Sequence, residues 1–334
     1  MKPIRLILAV LAIACCGVFV GACGDDESSG GSGSADKTAT ATPDESAGKI
    51  TRNEDNASIA LTIGSKNFTE QKVLGEIYAQ GLAAAGYDVK TDLNLGDQDT
   101  ALKSLKGGDI DAYPEYTGTA LLSFFGKQAD ELPKEPEAAY EEAKQGFAAE
   151  SPPLEAFPPT PFTSSNEVAV TKETAEKLGL KNISDLDGKS QDLTLYGSPE
   201  CRKRLDCLLG LQQVYGLKFK KFTPVDIAQR HEVLTSGRAD VSIVFTTDPQ
   251  IKREGEVLLE DDKGMFPPYN STLVFRKDVA DKAGPDLGKT IELLQQQLTD
   301  ENMQELNARV DLDKKAAGDV AKEYLQETGL ISGS

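Results

Sequence analysis

The chain of 334 residues has no tryptophan and a single histidine, His231. Serine and cysteine triads would both have to run through that one imidazole. It sits between Arg230 and Glu232 in a run that reads as helix, so a surface position is expected. The sequence contains no GxxxxGK(S/T) loop, no GxGxxG fingerprint, no zinc-ligand spacing and no EF-hand loop, so no cofactor or metal is expected. Positive charge is also short, with 36 Lys and Arg against 54 Asp and Glu and a formal net charge of -18. Nucleic acid and anionic lipid are poor partners for such a surface. Carboxylate pairs are too frequent to mean anything, so glycoside hydrolysis is left undecided by them. Binding without chemistry is favoured by elimination.

The five cysteines sort by position. Lys2 and Arg5 followed by the apolar run Leu6–Val20 read as a secretory signal over residues 1–22, too short for a comfortable membrane span. Gly21 and Ala22 directly before Cys23 resemble a bacterial lipobox, although Val20 stands where such boxes usually carry Leu. Cys23 would then be diacylated as the new N-terminus, whereas an ordinary cleaved signal would leave it a free thiol. Cys15 and Cys16 leave with the signal. Cys201 and Cys207 remain, and an exported compartment permits them a disulfide around the loop that carries Arg202 and Arg204. Residues 23–57 are rich in Gly, Ser, Asp and Thr and read as a solvated tether. Roughly 275 residues remain for the folded body, enough for two lobes.

Leu105–Thr119, LKGGDIDAYPEYTGT, aligns with Leu234–Asp248, LTSGRADVSIVFTTD. Gly108 matches Gly237, Asp111 matches Asp240, Tyr116 matches Phe245 and Thr117 matches Thr246. Each copy reads as a helix stopped by a left-handed glycine, a turn, and a strand ending on an aromatic. Strand carboxyl ends are where open α/β sheets bind ligands, so two lobes facing one cleft are expected. A generic helix-turn-strand pattern would produce the same match by chance. Ile59–Ile63, Val89–Leu95 and Ile110–Tyr113 read as strands separated by helices over 67–86 and 100–106, an α/β order. Asn67 with Glu70 reads as a capping box, and Tyr113 and Asp111 are assigned structural roles. The proline-rich segment Ser151–Pro161 is expected to cross between lobes. Beyond it strands at 168–171, 193–196, 219–223 and 241–245 alternate with helices, including one over 227–236. A strand at 273–276 leads back. The division expected is 58–163 with 271–331 for lobe one and 164–270 for lobe two, joined by a two-crossing hinge that permits closure.

The runs IGSKNFTEQKVLGEIYAQGL (63–82) and DAYPEYTGT (111–119) resemble the substrate-binding proteins of ABC importers for glycine betaine, choline and related quaternary ammonium osmoprotectants. TTD (246–248) and PPYNSTLV (267–274) extend the likeness. The resemblance implies a type II periplasmic-binding-protein fold, each lobe a mixed sheet flanked by helices. It implies no enzymatic activity, a small quaternary ammonium ligand, and a membrane permease as partner. The membrane would be reached by the lipid anchor, from outside the cytoplasmic membrane, and a monomer is expected.

A trimethylammonium group donates no hydrogen bond, so ring faces must recognise it, each contributing on the order of 0.5–2 kcal/mol. A betaine carboxylate wants Arg, Lys, hydroxyl or backbone donors. By resemblance Tyr116, Phe245 and Tyr269 supply walls, while Lys66, Thr119 and Arg204 face the carboxylate. Asn67, Thr117, Thr246 and Asp248 complete the expected ligand-binding set, with Tyr196 as a further ring. The segment Thr163–Val168 carries Asn166 and Glu167 where the family's remaining aromatic would come, and Glu167 either faces the cation or lies on the surface. Tyr116 is expected as an exposed cleft ring that contributes little to either core. Choline, carnitine, and other polar amines or amino acids are alternative ligands. An extracellular hydrolase and a sensory or adhesive lipoprotein are rivals of other classes.

Overall fold

The structure is a computed structural model and describes residues 48–332. The signal segment, Cys23 and most of the tether lie outside the described residues. Ten strands form two five-stranded sheets. They are β1 (Ala60–Gly64), β2 (Asp88–Asp92), β3 (Ala112–Tyr116), β4 (Leu154–Ala156), β5 (Asn166–Val170), β6 (Thr194–Gly197), β7 (Lys221–Pro224), β8 (Val241–Phe245), β9 (Val257–Leu259) and β10 (Ser271–Arg276). The first sheet runs β2-β1-β3-β10-β4 and the second β7-β6-β8-β5-β9. In each, three strands are parallel and the last two alternate in direction, with β10 antiparallel to β3 and β4 and β5 antiparallel to β8 and β9.

The two sheets therefore have one topology, and the repeated stretches occupy equivalent places in it. Gly108 and Gly237 both take left-handed backbone, at φ 82° and 67°, where a glycine avoids the Cβ clash. Asp111 accepts the Thr62 N–H at 2.8 Å, and Asp240 accepts the Thr194 N–H at 2.7 Å. Each carboxylate so ties the start of β3 or β8 to the neighbouring parallel strand. Tyr116 and Phe245 then end β3 and β8.

Helices Thr69–Ala84, Pro285–Gln295, Asp300–Asp311 and Ala317–Glu327 cover one face of the first sheet. Val73, Leu74, Ile77, Tyr78 and Leu82 fall on one side of the first of these and are fully buried. Such side chains contribute about 1.5–3 kcal/mol each by leaving water. Gln98–Gly107 and Pro136–Ala148 cover the other face. The second sheet packs a separate core around Val168, Leu195, Leu211 and Val241.

Several expectations are corrected here. Residues 50–57, read as the end of a tether, are docked: Ile50 is buried and donates its N–H to Leu330 O, while Asn56 is buried and bonds Ala85 O. The capping box is absent, because Phe68 is the N-cap residue and Glu70 points inward. Leu154–Ala156 is an edge strand of the first sheet inside the proline-rich segment, a position that tolerates flanking prolines. The chain crosses later, where residues 161–165 run beside 267–271 through the Thr163–Asn270 bridge. The single helix expected over 227–236 is two short turns, Ile227–Gln229 and Glu232–Thr235. Short segments Pro249–Glu254, Lys277–Ala283 and β9 were not foreseen.

Candidate functional site

The carboxyl ends of β3 and β8 open on a cavity of about 70 Å³ lined from both sheets. Five aromatic residues line it. Phe68 and Tyr116 belong to the first half, and Tyr196 and Phe245 end strands of the second, while Tyr269 sits beside the second crossing. Phe68 and Tyr116 are stacked at 6.2 Å between ring centroids, and Phe68 meets Phe245 at 5.3 Å, so the rings form one row across the halves. Tyr269 is placed by the DAYPEYTGT turn. A Cβ on Gly118 would stand 2.9 Å from its ring and 2.8 Å from Pro268 O, so only glycine lets this segment approach.

Each ring's polar end is anchored away from the cavity. Tyr116 donates its hydroxyl to Glu70 at 2.6 Å, and Glu70 also accepts from Asn307. Burial pushes the Glu70 carboxyl up, against the hydrogen bonds it receives. Tyr196 donates to Asp226 O at 2.7 Å and Tyr269 to Asp206 at 2.7 Å.

Three ion pairs flank the rings, Lys66–Glu115, Arg204–Asp206 and Arg230–Asp248, the last with its guanidinium 4.8 Å from the Phe245 ring centroid. Lys66 bonds Glu115, which is fully buried and also accepts the Tyr113 hydroxyl and the Tyr116 N–H. The Lys66 ammonium stands 4.6 Å from the Tyr116 ring centroid and 5.9 Å from that of Phe68. Burial drives its pKa down, more than Glu115 restores it. Arg204 grips Asp206 through Nε at 2.7 Å and Nη2 at 2.5 Å, and reaches across to Gln98 at 3.1 Å. Burial opposes the Asp206 charge, but Arg204 holds the carboxyl below the usual carboxylate range. Cys201 and Cys207 are joined with Cα atoms 5.2 Å apart, closing the loop that carries Arg204 and Asp206.

Of the residues expected in a site, Lys66, Asn67, Tyr116, Thr119, Tyr196, Arg204, Phe245 and Tyr269 line the cavity. Thr117, Thr246 and Asp248 do not. The two threonines are hinge clamps in equivalent positions: Thr117 donates its N–H to Asn270 O and its hydroxyl to Pro268 O, and Thr246 donates to Ser165 O and Thr163 O. Asp248 takes Arg230 bidentately at 2.6 Å and His231 at 2.9 Å. His231 is buried, not on the surface, with its other nitrogen 2.9 Å from Glu256. Glu167 is turned away from the cavity by the strand's alternation, and Asn166 faces in. Sequence reasoning missed Phe68, Asp97, Gln98, Ser164, Ser198, Glu200, Ile227 and Ile243, and placed Cys207 only in the disulfide. Phe68 lay inside the quoted SKNFTE motif and was the one with a readable signal.

Two mixed α/β lobes on a double crossing, with a ring-lined cavity between them, define a solute-binding protein of the type II periplasmic class. Residues 59–327 match the substrate-binding domain of ABC-type glycine betaine transport systems, and the chain belongs to that family. An ergothioneine transport permease and binding protein of Helicobacter pylori is 32% identical over 81% of this chain, which spans 48% of that relative's length. A glycine-betaine-binding protein of Pseudomonas aeruginosa is 33% identical, with 81% of this chain and 88% of the relative covered. The crystal structure of a glycine betaine/carnitine/choline ABC transporter superposes at a TM-score of 0.63 and 27% identity, covering 80% of this chain and 98% of that one. Among the described residues no helix is long and apolar enough to cross a membrane.

Proposed function

We propose that this protein captures glycine betaine or a related quaternary ammonium compound between its lobes and delivers it to an ABC permease, without catalysing a reaction. The lobes are 58–163 with 271–331 and 164–270. The body works outside the cytoplasmic membrane as a monomer, held by a lipid on Cys23 and stiffened at the site by a Cys201–Cys207 disulfide. The ligand-binding set is Lys66, Asn67, Tyr116, Thr119, Tyr196, Arg204, Phe245 and Tyr269, with Phe68 added.

The observation that carries this reading is the convergence of five rings from both halves on one cavity beside Lys66 and Arg204. Aromatic faces attract a cation that cannot hydrogen-bond, and the two cationic side chains suit an acid group. The relatives' names agree with it. A second reading, a bulkier trimethylated betaine such as ergothioneine, is favoured by Asp97, Gln98, Ser198 and Glu200 in the lining. Glycine betaine, with three methyls and one carboxylate, offers no hydrogen-bond donor to Ser198 and Glu200, whereas Asp97 already accepts from Thr100 and Gln98 from Arg204.

A thermal-shift screen tests both readings. A ligand at about 100 times its dissociation constant stabilises the folded state by about 2.7 kcal/mol. The reading requires a raised melting temperature with a quaternary amine, and it is lost if only sugars or peptides stabilise.

A further inference from the structure

His231, the only histidine of the chain, is buried with both ring nitrogens against carboxylates. Nε2 stands 2.9 Å from Asp248 and Nδ1 2.9 Å from Glu256. A carboxylate only accepts hydrogen bonds, and a neutral imidazole has a single N–H to give. Satisfying both neighbours therefore takes the imidazolium. Among the described residues the Glu256 carboxylate has no other hydrogen-bond donor, and its side chain is 2% exposed, so loss of the Nδ1 proton would leave a buried carboxylate facing a lone pair. With Arg230 the row Glu256, His231, Asp248, Arg230 alternates in sign. It sums to zero only while the imidazole is charged.

The far end of this row supports the wall of the cavity. Arg230 takes Asp248 through two bonds of 2.6 Å, lays its guanidinium 4.8 Å from the Phe245 ring centroid and donates Nη1 to Ile227 O at 2.8 Å. Asp248 also accepts the Phe245 N–H at 2.8 Å, on the same Oδ2 that meets His231. Phe245 and Ile227 line the cavity, and none of the four charged groups does. Asp248 and Glu256 instead line a groove of about 1210 Å³ between Pro249–Glu254 and Asp300–Asp311, shared with Lys252, Arg253, Glu301 and Glu305. That groove gives the row its own route to solvent. Asp311 and Tyr196 act on the Arg230 end.

We propose that His231 is a positioning residue for ligand binding: its imidazolium braces Asp248 and Arg230 behind Phe245 and Ile227, and loss of its proton loosens that wall and weakens the hold on the ligand. This rests on the quaternary ammonium reading proposed above. Burial lowers the His231 pKa, but the bonds to Asp248 and Glu256 outweigh it and raise the group. The brace is thus complete below about pH 6.5 and is lost as pH rises through the higher folded value.

NMR of the imidazole C–H signals on the full-length protein, which has one histidine to observe, locates that midpoint. Glycine betaine is the probe, because its quaternary nitrogen carries no proton and its carboxyl is ionised throughout this range. Isothermal titration on either side of the midpoint should give a dissociation constant ~5-fold or more larger on the alkaline side, the scale of a modest coupling between two sites. The stoichiometry should stay unchanged, which separates weaker binding from unfolded protein. By reciprocity, saturating ligand should raise the midpoint by the same factor, about 0.7 pH unit or more. Glu256→Gln removes the second carboxylate, and its NH₂ can donate to a neutral Nδ1 while Nε2–H serves Asp248, so the affinity of this variant should not step with pH. An imidazole that does not titrate while the protein is folded, a wild-type affinity that ignores the titration, a midpoint that ligand does not move, or an alkaline step that persists in Glu256→Gln overturns the proposal. Absence of glycine betaine binding at every pH overturns it together with the ligand class it rests on. If the variant does not fold, the two wild-type measurements decide alone.

Discussion

Asp206→Asn isolates the pair that holds the second half of the site. The carboxylate is fully buried and receives Arg204 through two bonds of 2.7 and 2.5 Å and the Tyr269 hydroxyl at 2.7 Å. Asparagine keeps the shape but offers one acceptor oxygen, so in either orientation its NH₂ faces one of the two guanidinium N–H groups, donor against donor. Arg204 is then buried without a counter-charge. Removing one member of a buried pair costs about 3–5 kcal/mol, which for a protein of this size lowers the melting temperature by roughly 6–20 °C. Thermal unfolding followed by circular dichroism measures this directly. The pH dependence supplies an internal check. Asp206 is held below its unfolded value by Arg204, so its contribution is present above about pH 3.9 and fades as pH falls through the folded value. The gap between wild type and variant must narrow in acid. A loss under about 1 kcal/mol at neutral pH, or a gap that does not narrow, would refute the assignment of Arg204 and Asp206 as a tight buried pair.

Other variants probe neighbouring features. Tyr116→Phe keeps the ring and loses the bond to Glu70, so it should cost about 0.5–1.5 kcal/mol in stability and change ligand affinity little; Tyr116→Ala should cost about 3–5 kcal/mol, because the residue is 4% exposed and part of the core. Denaturant titration separates the two, and equal effects would place the energy in the hydroxyl. Glu167 is pushed up to about 7 by burial, with Asp261 adding to it. A carboxyl raised in the folded state loses stability as pH rises from its unfolded value through 7, so Glu167→Gln should be more stable than wild type by on the order of 3 kcal/mol at pH 8 and equal to it near pH 4; a gain that is the same at both pH values would show another cause. Burial lowers His231, but its bonds to Asp248 and Glu256 outweigh that and raise it. Its contribution is full below about pH 6.5 and is lost as pH climbs through the folded value, so the advantage of wild type over His231→Gln should shrink in alkali, and a constant difference in unfolding midpoint would contradict the two contacts.

How much was legible follows from the range of the interactions involved. The repeat was readable because a left-handed glycine, an aspartate and an alternating strand are local signals, and each aspartate meets the equivalent N–H of its own neighbouring strand, Thr62 or Thr194. The rings Tyr116, Tyr196, Phe245 and Tyr269 could be named because they end strands or follow a proline turn. Burial was not readable: Tyr116 was expected as an exposed ring, but Phe68 and Lys66 cover its face and the returning helix Asp300–Asp311 backs its hydroxyl partner Glu70 through Asn307. Thr117 and Thr246 were assigned to the ligand because hydroxyls beside a site look like donors. Their partners, Pro268 O and Thr163 O, are distant in sequence and become neighbours only when the two crossings pair. His231 was placed outside for the same reason, since Glu256 comes to it from the loop before β9. Phe68 was hidden by the expectation that Asn67 caps the helix; moving the cap by one residue turns that ring into the cavity.

The central claim is that aromatic faces from both halves recognise a methylated cation. Calorimetric titration with glycine betaine and with glycine, which share a carboxylate and differ in the three methyl groups, tests it most directly. The account predicts saturable binding of glycine betaine and none of glycine at the same concentrations, because the unmethylated ammonium stays better hydrated in water than on the rings. Equal affinity for the two, or binding of glycine alone, would contradict it.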